Sequence, residues 1–220
     1  MKKILLIIIG IIVIISVQLV KPIIELLKEQ LPAGVELIAF SPTDSFIALT
    51  SIVFILVGIF LTPIILIGII KITKPAMYKK EKDLLIKLIP ISSILFFLGA
   101  TLGIIIMLKF GLVFFAQLSV EYGMKNMWSL GNLINSIAYM GFLMGLTFQL
   151  PIVIITVVNQ KLISLKEIVK LRKFVILGAL VVSAIVTPPD IISQLTMAIP
   201  LILLYEGTIY YIRKTGVKSC

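Results

Sequence analysis

Apolar runs of about twenty residues recur along this chain, parted by short basic clusters, and no water-soluble fold buries that many full-length greasy segments. A helix rises 1.5 Å per residue, so such a run crosses a hydrocarbon layer of about 30 Å. Six segments fit, at about 4–20, 46–70, 88–108, 134–158, 171–186 and 191–212. The charge content is 14%, well under the roughly 25% of a soluble domain, and the mean hydropathy is +1.21. The pattern predicts an all-α, polytopic integral membrane protein, multi-pass in the cell membrane, with residues 1–220 forming one membrane domain.

The basic residues then orient it. Lys and Arg concentrate in short cytoplasmic loops. With the N-terminus inside, sixteen of the twenty Lys/Arg fall on the cytoplasmic side, and only Lys21, Lys28, Lys109 and Lys125 fall outside. Both termini are therefore expected in the cytoplasm. Joining 171–212 into one span would put the basic C-terminus outside, against this rule. The net charge of +10 is read as topology. No aromatic-interleaved basic patch points to nucleic acid.

The first run, after Lys2 and Lys3, is longer than a secretory signal core and lacks a small-x-small cleavage site, so it reads as a retained span. Lys21–Thr43 reads as a short surface helix broken by Pro32-Ala33-Gly34. Ser41-Pro42-Thr43-Asp44 reads as a helix start. Lys71–Lys87 is the longest polar stretch, a cytoplasmic loop with six lysines surrounding Glu81 and Asp83. Gly99 and Gly103 offer a small-xxx-small face for close helix contact. Residues 109–133 read as an outer segment with a short cap helix or re-entrant piece, Trp128 anchoring it at the interface. Gln149 sits near mid-bilayer just before Leu150-Pro151, where two roles stand level: a bond across to a partner helix, or an internal bond to the carbonyl that Pro151 frees. Pro188 and Pro189 stop one helix, and Asp190 caps the next. Glu206, near the cytoplasmic end of the last span, pairs with a basic residue or meets a partner. The last two spans are short, which implies local bilayer thinning and a concave side.

Several chemistries are excluded. The sequence has no histidine and one cysteine, Cys220, so His-based metal sites, His relays and His-assisted nucleophiles do not arise, and an internal disulfide is impossible. No metal or cofactor is expected, and no GxSG or paired-aspartate motif marks an enzyme. No internal repeat supports an inverted-repeat transporter. The alternative function is a small-molecule channel or transporter, with Gln149, Asp190 and Glu206 along a polar pathway.

From about Ser41 to Glu206 the ordered motifs resemble the TatC family, a subunit of the twin-arginine protein translocase. They are Ser41-Pro42-Thr43-Asp44-Ser45-Phe46, Pro75-Ala76-Met77-Tyr78-Lys79-Lys80-Glu81, Phe148-Gln149-Leu150-Pro151, Thr187-Pro188-Pro189-Asp190 with Ser193-Gln194, Ala198-Ile199-Pro200 and Leu204-Tyr205-Glu206-Gly207. The resemblance implies a non-enzymatic receptor for the paired-arginine signal peptides of folded precursor proteins. It implies export driven by the proton gradient, TatA/TatB-type single-span partners, and homo- and hetero-oligomers in the bilayer. It makes Glu81 the signal-binding carboxylate, with Pro75, Tyr78 and Asp83 beside it. Gln149, Pro151 and Glu206 become partner-helix contacts, and Pro42, Pro188, Pro189 and Asp190 structural turns and caps. A guanidinium fork suits a carboxylate, which accepts its charge-assisted hydrogen bonds. With no mid-membrane carboxylate, lysine or histidine to relay protons, the subunit is expected to bind and template. The family's usual acidic segment before the first span is absent, as only Met1-Lys2-Lys3 precedes it, and Ile72 and Met77 depart from the loop motif. Both departures predict a reduced or altered signal affinity, unless a residue such as Asp83 replaces the missing contact.

Overall fold

In the computed structural model, the described residues are 2–32, 34–73, 79–186 and 191–215, and the side chains of 2–9, 11–12, 59–60, 62–87, 89, 185–186 and 192–193 are not among them. The chain is almost wholly helical. In order it forms α1 (Lys2–Glu29), β1 (Glu36–Ile38), α2 (Pro42–Thr73), α3 (Lys79–Ile106), a π-helical turn (Met107–Gly111), α4 (Leu112–Glu121), β2 (Met127–Ser129), α5 (Leu130–Thr147), α6 (Leu150–Asn159), α7 (Leu165–Lys170), α8 (Arg172–Val186) and α9 (Ile191–Thr215). Among the described residues, three helical segments are long and apolar enough to span a bilayer: Pro90–Glu121, Leu130–Asn159 and Gln194–Thr215. Pro42–Gly58 is a shorter apolar one.

Several boundaries move. The surface helix expected after Lys21 is the last part of α1, which runs through Pro22 to Glu29. Tertiary packing overrides the proline. Ile23, Ile24 and Leu27 pack with Val20 against Ala48, Ile52 and Ile134, so this face is buried in protein and not laid on lipid headgroups. The polar loop at 71–87 is also shorter than expected, because α2 continues to Thr73 and α3 begins at Lys79. Lys, Glu and Leu are good helix formers, so both helices extend past their apolar runs. The third span does not end at Leu108 but passes through the π turn into α4, replacing the separate cap helix. The fourth starts earlier, at Leu130, and is broken at Phe148–Gln149 into α5 and α6. Residues 159–173 hold the unforeseen short helix α7. Of the last two expected spans only α8, at 15 residues, is short, since α9 has 25.

A small sheet also escaped the sequence altogether. β1 and β2 pair in parallel, with Glu36 opposite Met127, Leu37 opposite Trp128 and Ile38 opposite Ser129. Three-residue strands have too few side chains to show a period of two, and a parallel pair joins segments far apart in the chain.

The chain divides into two compact units, Met1–Leu61 with Ala100–Leu143, and Thr62–Gly99 with Met144–Cys220. In the first, α1, α2 and α5 meet in the cluster around Val20, Ala48, Ile52 and Ile134. In the second, Val158, Ile168, Tyr205, Ile209 and Ile212 tie α6 and α7 to α9, and Leu88 of α3 packs with Ile152 of α6.

The start of α2 shows how a polar group is satisfied at the edge of such a core. Pro42 is its first residue, where the missing N–H costs nothing. Asp44 in the first turn accepts hydrogen bonds from the Phe40 N–H at 3.0 Å, the Ser129 hydroxyl at 2.9 Å and the Ser41 hydroxyl at 3.3 Å. This carboxylate links the segment before α2 to the beginning of α5. A Cβ on Gly131 would lie 2.7 Å from the Asp44 carbonyl oxygen, so only glycine lets α5 approach so closely. The Ser129 hydroxyl, ahead of the other donors, holds the Asp44 carboxyl below its usual range. A carboxyl depressed in the folded state adds stability above its unfolded value, and that stability is lost as pH falls through the lower folded value. Thermal midpoints in detergent are therefore expected to drop as pH falls from about 4, and Asp44→Asn should flatten that drop.

Candidate functional site

Two polar constellations occur in the second unit, and both involve residues singled out by sequence. The first is centred on Gln149. Helix α5 ends at Thr147, and Phe148 and Gln149 form a turn before α6 opens with Leu150 and Pro151. Pro151 thus lies in the first turn, where its absent N–H is an unbonded position in any helix. Of the two roles held level for Gln149, the bond to a carbonyl freed by Pro151 is not what forms. Instead the Gln149 amide reaches α3: the Ser92 hydroxyl donates to its Oε1 at 2.6 Å, and its Nε2 donates to the Ser92 carbonyl at 3.0 Å. Both residues are buried, Ser92 at 2% and Gln149 at 3% exposure.

The reciprocal pair pins α3 to the α5–α6 break. Next to it, the surface of α3 is cut back to let α5 in: a Cβ on Gly99 would stand 2.6 Å from Phe148 Cγ and 2.7 Å from the Met144 carbonyl oxygen. Gly103 is also buried. The amide is thus engaged inside the subunit, while its neighbours Leu150 and Val153 are 42% and 39% exposed. In hydrocarbon an orphaned polar group has no water to turn to. Gln149→Leu is accordingly expected to cost about 1–3 kcal/mol, because it strands the Ser92 hydroxyl, and the paired change Ser92→Ala/Gln149→Leu should cost less than the sum of the single changes. Thermal unfolding in detergent, run as a double-mutant cycle, measures this coupling.

The second constellation holds Glu206. Its Oε2 receives a hydrogen bond from Arg172 Nη2 at 2.7 Å, with both side chains about 40% exposed. Beside it the Tyr205 hydroxyl donates to the Ile168 carbonyl, fixing α7 against α9. Arg172 was legible only as one of five cations in 161–173, and Ser92 only as a hydroxyl in an apolar run. Neither carries a signal for its partner, since each pair closes across 34 residues or more. The Ser193-Gln194 motif also acquires a role: Gln194 Nε2 donates to the Leu180 carbonyl at 3.1 Å, clipping α9 to α8.

The remaining site residues are placed as follows. Glu81 and Asp83 belong to the first turns of α3, at its third and fifth positions, with side chains outside the described set. Pro75 and Tyr78, and Pro188, Pro189 and Asp190, lie outside the described residues. Among the described residues no cluster of three or more metal-ligating side chains occurs.

Comparison with known proteins follows the same lines. The family model described as Sec-independent protein translocase protein (TatC) matches residues 1–200. A protein of that name from Listeria innocua is 32% identical over 190 residues, covering 86% of this chain and 77% of the relative. The TatC of Escherichia coli K12 is 28% identical, covering 85% and 72%. A crystal structure of the twin-arginine translocase receptor TatC in DDM superposes with a TM-score of 0.73 at 30% identity, over 94% of this chain and 93% of that one. The motifs, the helical membrane fold and these matches agree: the chain belongs to the TatC family and is a polytopic membrane subunit of the Sec-independent, twin-arginine protein translocase.

Proposed function

We propose that this subunit is the receptor that reads the paired arginines of a signal peptide, and that Glu81 is the reading group. The position of Glu81 at the start of α3 carries the proposal. The first turn of a helix is the positive end of its dipole, which favours an ionised carboxylate there. An ionised carboxylate is what two guanidinium forks require. The helix beneath it is held firmly, because Leu88 packs on Ile152 and Ser92 pairs with Gln149. Glu81 lies eleven residues before Ser92, about 16 Å along the axis. The backbone of that first turn therefore sits on a braced rod, which lowers the ordering cost when a peptide binds. Asp83, two residues on, falls on a different face and is assigned to the rim of the site with Pro75 and Tyr78.

The subunit binds and templates; it is not an enzyme. Its single-span TatA/TatB-type partners meet the α5–α6 break through exposed apolar neighbours such as Leu150 and Val153, with the Gln149 amide setting the break's shape. Glu206 serves α9 through Arg172. The channel reading loses two of its three polar groups, because Gln149 and Glu206 are each taken up by an intramolecular partner. The test is direct binding of a twin-arginine peptide to the detergent-solubilised chain, against its twin-lysine version and against Glu81→Ala. Equal affinity in all three arms would reject the receptor assignment.

A further inference from the structure

We infer that residues 162–174 form a surface that recognises anionic phospholipid headgroups at the membrane on which α7 lies. The inference rests on which charges in this segment are already used. Two carboxylates meet this segment, Glu167 within it and Glu206 paired with Arg172, and both already accept hydrogen bonds, Glu167 with the charge of Lys170 also nearby. Glu167 Oε2 accepts from the Ser164 N–H and from the Ser164 hydroxyl, each at 2.8 Å, while the Glu167 N–H donates to Ser164 Oγ. This reciprocal capping box ties the carboxylate to the start of α7. The Ser164 backbone amide, ahead of the other contacts, keeps the Glu167 carboxyl below its ordinary range. Glu206 is bound to Arg172. What remains turned outward is Lys166, Lys170 and Lys173, all exposed.

Apolar side chains stand among those lysines. Leu162 is 59% exposed, Leu171 42% and Phe174 70%. In water so much exposed apolar surface beside three cations would be unfavourable. At a bilayer surface the same arrangement is complementary, with apolar side chains entering the acyl boundary and ammonium groups at phosphate depth. The surface is also rigid. Ile168 is buried with Val158, Ile209 and Ile212, and its carbonyl is held by the Tyr205 hydroxyl, so α7 cannot swing away from the end of α9. An acidic partner helix is the competing occupant; the exposed leucines and Phe174 interleaved with the lysines favour lipid.

The full-length chain is placed in nanodiscs of phosphatidylcholine in which phosphatidylglycerol replaces a rising fraction, and retained phosphatidylglycerol is counted by native mass spectrometry. Hydrogen exchange of residues 162–174 is followed in parallel. Each lysine near an anionic surface contributes about fivefold, so K166Q/K170Q/K173Q should weaken retention of phosphatidylglycerol by on the order of a hundredfold. High salt should weaken it as well. Phe174→Ser should weaken it with all charges kept, and inorganic phosphate should not compete at headgroup concentrations. K28Q/K109Q/K125Q removes as many charges elsewhere and should retain phosphatidylglycerol as the parent does. The inference is overturned if both triple variants lose lipid equally, or if phosphate alone protects the segment. Protection that arises only when an acidic single-span helix is added also overturns it. Thermal midpoints are checked first, and a midpoint unchanged from the parent is expected because all substituted lysines are exposed.

Discussion

Glu81→Ala is expected to weaken binding of a twin-arginine peptide by about 10- to 150-fold, the range for removing hydrogen bonds to a charged group, about 1.5–3 kcal/mol. Glu81→Gln should fall in between, since the amide oxygen still accepts but carries no charge. The twin-lysine peptide should bind the parent more weakly than twin-arginine and lose less on Glu81→Ala, because an ammonium makes no bidentate fork. Six lysines share the stretch from Lys71 to Lys87 and repel the arginines at long range. Added salt therefore acts unequally on the two contributions. It screens that repulsion over about 10 Å while leaving the contact pair less affected, so the loss caused by Glu81→Ala should persist at 0.3 M salt, an expectation that fluorescence anisotropy of a labelled peptide tests. A loss that vanishes with salt would mean that Glu81 acts only by offsetting its neighbours.

Gly99→Leu is expected to lower stability strongly. Even a methyl at this position would lie 2.6 Å from an aromatic carbon and 2.7 Å from the Met144 carbonyl oxygen. A side chain can rotate away, but a carbonyl held in α5 cannot. The helices would have to part, and overpacking of this kind costs about 1–3 kcal/mol or more. Parting them also stretches the Ser92–Gln149 pair, so the two losses should compound. Gly178→Ala in α8 and Gly207→Ala in α9 are the contrasting cases. Nothing lies within 4 Å of a Cβ at either position, and alanine in a helix interior is favoured over glycine by about 0.5–1 kcal/mol. Thermal midpoints in detergent should thus fall sharply for the first and hold or rise for the other two. If Gly99→Leu proves neutral, the close approach of α3 and α5 is wrong.

Sequence patterns made the helical, membrane-embedded class legible and drew attention to Gln149 and Glu206, because both follow from composition along the chain. Apolar length marks a membrane helix, and a charge or amide inside one stands out. The helix ends were less legible. Lys79–Lys87 reads as polar and so as loop, yet polar residues at a helix end are as helical as apolar ones, and only packing farther along α3 reveals the continuation. The first span reads as ending at Val20, yet the cluster around Val20 carries the helix on to Glu29. The partners of Gln149 and Glu206 were invisible for a different reason. Ser92 and Arg172 are ordinary in their own segments and gain meaning only through a contact made across the fold.

The π-helical turn at Met107–Gly111 sets the indexing of the long rod it interrupts. A π turn spends an extra residue per turn relative to an α-helix, so everything from Leu112 onward is rotated by about 100° from where an unbroken α-helix would place it. The faces of α3 and of α4 are consequently set independently of each other. An insertion or deletion in one can be taken up at the π turn, without turning the other's buried side toward its surroundings. Chain length beyond the π turn is therefore free to drift while α3 keeps its packing.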